Sequence, residues 1–218
     1  MQLTIILFIF FLLLHLVTML LAWPAWKRTG KTYRPMLLFL GFNFILECIK
    51  SFIPWEPFVY VKTEDIQTLM SVLLIIWQAK EWNVFEQRPR LLTWLQGIAV
   101  AGCIADWIIQ YKNPGSVSLF YICSAFGITL LAIEMLNRNL PQSQVTVWRN
   151  PVFLFCTGLI FHFTLLGLLE VFTLALSESG QTILYRTYYF YSSLSILIQF
   201  IYIRSVLCIP AKDKYYSY

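Results

Sequence analysis

Seven apolar runs, each close to the length that crosses a lipid bilayer, are strung along the chain with only short polar segments between them. A spanning helix needs about 20 predominantly apolar residues. The runs fall at 3–23, 36–53, 66–85, 91–111, 117–136, 151–176 and 184–208. Backbone N–H and C=O groups cannot stay unpaired in hydrocarbon, so apolar runs of this length are expected to be helices. The expected fold is all-α, a polytopic seven-transmembrane-helix bundle forming one domain over 1–218. Composition agrees, because only 12% of the residues are charged against about 25% in an ordinary soluble domain. That shortage excludes a typical soluble enzyme, a disordered tail and a secreted disulfide scaffold. The first run lacks the basic flank and short apolar core of a cleaved signal, and reads as a retained helix.

Loop charge gives the expected orientation. With the N-terminus outside, the inner side collects Lys27, Arg28, Lys31, Arg34, Lys80, Arg88, Arg90, Arg138, Arg149, Arg204, Lys212 and Lys214. Only Lys50, Lys62, Lys112 and Arg186 fall outside. Cytoplasmic loops carry the excess of Lys and Arg, so the C-terminus is expected in the cytoplasm. The same pattern makes topology, not nucleic acid, the reason for the net charge of +5. The longest connection, 137–150, leaves no room for a soluble catalytic or DNA-binding domain, which places any activity within the membrane or in a separate partner.

Ionisable groups inside spanning segments cost roughly 2.5–3.5 kcal/mol each on insertion scales and usually face the bundle interior. The second run carries Asn43, Glu47 and Lys50, spaced four and three apart and so on one helical face. The fourth run carries Asp106 beside Trp107, the sixth His162 and Glu170, and the seventh opens with Arg186 and Tyr188. Glu47, Lys50, Asp106, Trp107, Glu170, Arg186 and Tyr188 are thus the candidate ligand-binding residues of an outward-facing pocket. Asn43, His162, Ser192, Ser195 and Gln199 are the candidate lining. The seventh run has Tyr188, Ser192, Ser195, Gln199 and Tyr202 at alternating steps of four and three, one polar stripe.

Plainer readings stand beside these. Glu47 with Lys50 and Glu170 with Arg186 can be interhelical ion pairs, and Asp106 and Arg186 can reach the interface. The stripe can be ordinary interhelical hydrogen bonding, and His15 a packed histidine. Small residues at Gly97, Ala101 and Ala105 let a neighbouring helix approach closely, which points to a tightly packed central helix or a homo-oligomer contact through the fourth run. Lys80, Glu81, Glu86, Arg88, Glu134, Arg138 and Arg204 read as solvated helix ends or a docking surface.

Several chemistries lack their residues. The seventh run has no lysine for a retinal Schiff base, and His15 and His162 are the only histidines, too few for an intramembrane zinc site without carboxylates. Cys48, Cys103, Cys123, Cys156 and Cys208 stand isolated, so no metal site or cofactor is expected.

Three stretches carry a resemblance: Phe-Asn-Phe-Ile-Leu-Glu (42–47), the segment 148–163 that opens the sixth run, and Ser-Ile-Leu-Ile-Gln-Phe-Ile-Tyr-Ile (195–203). Together with the topology, the chain resembles small stand-alone seven-helix inner-membrane proteins of Bacteroidetes-type bacteria. Those in turn are similar to the seven-helix sensor regions of bacterial signalling proteins. The resemblance implies a bacterial inner-membrane location and a sensing or membrane-partner role. The expectation is a receptor-like module that binds a small or lipid-like ligand and signals through a separate cytoplasmic or membrane protein. The alternatives are a proton-coupled transporter using Glu47 and Glu170, a lipid-modifying enzyme using His162 and Glu170, and an assembly subunit.

Overall fold

The computed structural model describes residues 2–52, 57–112, 118–141, 145–175 and 181–210, with the side chains of 2–5, 8, 51–52, 57–62, 89, 174–175 and 181–189 outside that description. Seven long helices make up the described chain: α1 (Gln2–Arg28), α2 (Arg34–Phe52), α3 (Pro57–Glu81), α4 (Pro89–Lys112), α5 (Leu119–Asn139), α6 (Pro151–Ala175) and α7 (Gln181–Leu207). Short 3-10 turns at Lys31–Tyr33 and Val147–Arg149 lead into α2 and α6. There is no strand among the described residues. Five helices, α1, α4, α5, α6 and α7, are long and apolar enough to cross a membrane, with mean hydropathy between 1.4 and 2.2. Large apolar side chains such as Leu20, Trp94, Ile98 and Leu130 are more than half exposed on the outer surface, as expected of a chain whose solvent on that side is lipid.

Local chemistry sets the helix ends. Asn150 Oδ1 accepts from the N–H groups of Val152 and Phe153 at 2.9 and 3.2 Å, capping α6 with Pro151 at its first position. Ser118 caps α5 by accepting from Tyr121 N–H at 3.0 Å. The end of α3 is a Schellman turn. Val84 N–H bonds Ala79 C=O, Asn83 N–H bonds Lys80 C=O, and Asn83 takes a left-handed φ of 53°. Val84 is fully buried beneath it.

Six helices close a ring in the order α1, α2, α3, α5, α6, α7, and α7 packs back on α1. The fourth helix lies outside the ring against α3 and α5. This corrects the expectation of a tightly packed central helix. Ala101 and Ala105 are exposed, and a Cβ on Gly97 would meet nothing within 4 Å. The small-residue spacing permits close approach, but among the described residues no helix uses that face. The start of α3 also departs from the sequence expectation: the helix begins at Pro57, not near 66, and ends at Glu81, not 85. Its opening is interrupted by the polar stretch Lys62-Thr63-Glu64-Asp65, and Asp65, Thr68 and Ser71 are buried among other helices. The charged stretch 62–65 cuts the hydropathy run short, so the sequence places the start near 66.

One end of the ring is filled. Phe39 and Phe155 pack edge-to-face with centroids 5.8 Å apart, and Tyr202 lies 5.9 Å from Phe155 and 6.4 Å from Phe39. Trp82 closes on Phe155 at 6.2 Å. Beside this plug, the fully buried Gln78 side chain accepts from Met36 N–H and donates to Thr32 C=O, both at 2.7 Å. It thereby satisfies the backbone where α2 begins. Gly158 allows the Tyr202 ring to lie directly on α6, since a Cβ there would sit 2.4 Å from the ring.

Candidate functional site

Beyond the aromatic plug the ring opens into a polar cavity of about 310 Å³. The walls from α1, α2 and α3 come from residues three or four apart, the spacing that puts side chains on one helical face. The first helix gives Phe11, His15 and Thr18, the second Asn43, Glu47 and Lys50, and the third Glu64, Gln67 and Ser71. From α6 come His162, Leu166, Leu169 and Glu170, from α7 Tyr191, Ser192 and Gln199, and from α5 Tyr121. Phe39, Phe163 and Tyr202 form the floor that joins the plug.

The charged side of the cavity is a bridged array. Lys50 Nζ donates to Glu47 Oε1 at 3.1 Å and lies 3.8 Å from Glu64 Oε1, so one ammonium links two carboxylates on two helices. Gln67 Nε2 donates to both Asn43 Oδ1 at 2.8 Å and Glu47 Oε1 at 3.1 Å, a second tie between α2 and α3. Across the cavity, Gln199 Nε2 donates to His15 Nε2 at 2.9 Å. The His15 Nδ1–H then donates to Phe11 C=O at 3.2 Å. That pair of bonds fits the neutral Nδ1-protonated tautomer and pins α1 to α7.

His162 stands edge-on to Phe163 at 5.0 Å and faces Tyr191 at 6.2 Å, and its Nδ1 has no hydrogen-bond partner among the described residues. The Tyr202 hydroxyl on the floor is likewise unpartnered among them, on a residue only 2% exposed. Polar atoms buried without a partner are uncommon in folded proteins and call for an occupant. Among the described residues no group of three His, Cys, Asp or Glu is arranged to hold a metal ion.

Of the residues singled out from the sequence, the structure brings Asn43, Glu47, Lys50, His162, Glu170, Ser192 and Gln199 around this one space. Ser195 is buried in α7 but is not part of the lining. The Arg186 and Tyr188 side chains lie outside the described residues. Asp106 and Trp107 sit elsewhere. The Asp106 carboxylate accepts from Gln110 Nε2 at 2.6 Å and from Phe120 N–H at 3.3 Å, where its charge suits the positive end of α5. It borders a separate, apolar groove of about 400 Å³ between α3, α4 and α5. Sequence reasoning passed over Glu64, Gln67 and Ser71, although their three-and-four spacing in the polar opening of α3 was the available signal.

No family model matches the chain, and comparison with curated proteins and with solved structures finds no similar protein.

Proposed function

We propose that the chain is a receptor-like membrane protein that binds a small ligand in this cavity and passes the signal to a separate protein partner. In this reading all seven helices span the bilayer with the N-terminus outside and the C-terminus in the cytoplasm, as the loop charges favour. The cavity then opens in the outer half, between the C-terminal half of α2 and the N-terminal half of α7. The resemblance to bacterial seven-helix sensor regions adds the inner membrane as the location.

The observation that carries the proposal is the convergence of charged and polar side chains from five helices on one cavity inside a ring with an apolar exterior. Such groups are expensive in a bilayer and mark function by default. The aromatic side chains Phe39, Phe155 and Tyr202 close one end of the cavity and give it a floor on which a ligand can rest.

Native mass spectrometry of protein released from its membrane in mild detergent tests the reading. A small-molecule adduct in the wild type that disappears in Glu47→Gln is the expected result. An empty wild type that gains no stability from any ligand in a broad metabolite and lipid screen would refute it. Reporter fusions check the topology, and a phosphatase fused after Pro210 should be inactive because it stays in the cytoplasm.

A further inference from the structure

The apolar groove between α3, α4 and α5 has the dimensions of a single hydrocarbon chain. On α4 its lining runs from Leu95 to Ile109, which rises about 21 Å along the helix axis. A volume of about 400 Å³ spread over that length leaves a mean section of about 20 Å². An α-helix with its side chains is about 10–12 Å across and needs several times that section. One file of methylene carbons, which keep about 3.5–4.0 Å from their neighbours, fits it. The length agrees, because one leaflet supplies about 15 Å of hydrocarbon and the groove takes all of it.

Small side chains make the space. Ala99, Gly102 and Ala105 on α4 face Cys123, Ser124 and Gly127 on α5. Such residues ordinarily let two helices close up. Here the helices approach at Gly102, where a Cβ would sit 3.3 Å from the Phe120 ring, while a Cβ on Gly127 would meet nothing within 4 Å. Ile76, Phe120 and Ile128 form a buried floor, and Ile98 and Leu119 on the rim are more than half exposed. The groove thus opens onto the apolar exterior of α4 and α5, two of the helices long and apolar enough to cross a membrane.

Charge distinguishes its two ends. Beyond Leu95, exposed Arg90 opens α4 and exposed Arg88 lies in the turn before it, with Glu86 in the same turn. Neither arginine makes an ion pair among the described residues. Arg138, 5.8 Å from the Phe85 ring centre and paired with Glu134, adds a third guanidinium at this end. The opposite end carries the carboxylates of Asp106 in the lining and of Asp65 beside Ser118, with Lys112 beyond them. Guanidinium groups match phosphate oxygens and draw anionic headgroups to a membrane surface. The geometry points to a bound phospholipid with an anionic headgroup, one acyl chain in the groove and its phosphate at Arg88 and Arg90. This site is separate from the polar cavity and does not depend on what that cavity binds.

Two measurements on the full chain test it. In native mass spectrometry from detergent, delipidated protein is titrated with phosphatidylglycerol or with phosphatidylcholine of the same acyl chains. Phosphatidylglycerol should bind one saturable site at least about tenfold more tightly, as two arginines at the headgroup predict. Arg88→Gln with Arg90→Gln should remove the preference, and Gly127→Leu, which fills open space in the groove, should weaken both lipids. Ala101→Leu, on an exposed position outside the lining, should change neither. The second measurement needs no variant. Protein in nanodiscs containing phosphatidylglycerol with a diazirine on one acyl chain is illuminated, digested and mapped. Label should concentrate on Ile98, Cys123 and Gly127 over Leu20 and Leu130, which are as exposed as Ile98 but outside the groove.

Label as heavy on Leu20 and Leu130 as in the groove would show an ordinary lipid annulus and overturn the inference. Equal wild-type affinity for the two lipids would overturn it as well, since the groove would then take hydrocarbon without choosing a headgroup. A doubled mass with an unlabelled groove would assign the space to a second copy of the chain, against the inference.

Discussion

Substituting Gly158 by alanine tests the packing that closes the cavity floor. The new methyl carbon would lie 2.4, 2.9 and 3.1 Å from Cε1, Cδ1 and Cζ of Tyr202, where carbon atoms prefer about 3.5–4.0 Å. The ring has little room to yield, being 2% exposed and held between Phe39 and Phe155. Overpacking of this kind costs about 1–3 kcal/mol, and the depth of the overlap puts Gly158→Ala at the upper end. Alanine recovers up to about 1 kcal/mol as the better helix former, leaving a net loss of about 2 kcal/mol. Gly41 and Gly97 are controls, since a Cβ at either meets nothing within 4 Å, and there alanine should be neutral or stabilising. In a Tyr202→Ala background all three clashing atoms are gone, so Gly158→Ala should change sign and stabilise by about 1 kcal/mol. Reversible unfolding by SDS in mixed micelles, followed by circular dichroism, reads each free energy. Should Gly158→Ala prove as benign as Gly41→Ala, or its cost persist without the tyrosine ring, the argument fails.

Two further outcomes can be measured in the same assay. Gln78→Leu keeps the volume roughly but strands the Met36 N–H and the Thr32 C=O, each costing about 1–3 kcal/mol when unsatisfied, so a loss of at least about 2 kcal/mol is expected; a neutral result would show that those groups find other partners. Lys50→Met leaves Glu47 and Glu64 facing each other without their shared cation and should destabilise by about 2–3 kcal/mol, whereas Glu47→Gln, which leaves Lys50 with Glu64, should cost about 1 kcal/mol. The reverse order would show that the array is not bridged through Lys50.

The helices themselves were legible because hydrocarbon length leaves a plain mark on sequence, and six of the seven begin and end within a few residues of the apolar runs. The exception is instructive. The third and fourth turns of α3 carry Glu64, Asp65 and Gln67, which lower hydropathy whether they face water or a protein interior, and only the neighbouring helices decide which. The array on α2 was legible for the opposite reason, because Asn43, Glu47 and Lys50 share a face whatever lies opposite. Asp106 shows where such reasoning stops. A carboxylate near a helix end can hold a ligand or cap a neighbour, and the choice depends on where the first turn of α5 falls. Gln78, which ties α3 to the start of α2, bears no charge and so gave no warning of its burial.

Closure of the ring by the first helix against the last has a consequence for synthesis in the cell. The His15–Gln199 bond joins residues 184 positions apart, so the cavity has no complete wall until nearly the whole chain has left the ribosome. Until then the polar faces of α1 and α2 lack their partners on α7. The fourth helix is made before α5 and stands aside for α5 to reach α3, which accords with its place outside the ring. A chain stopped before α7 lacks the wall that closes the ring on α1, and should be recognised and degraded as an orphan rather than persist as a partial bundle.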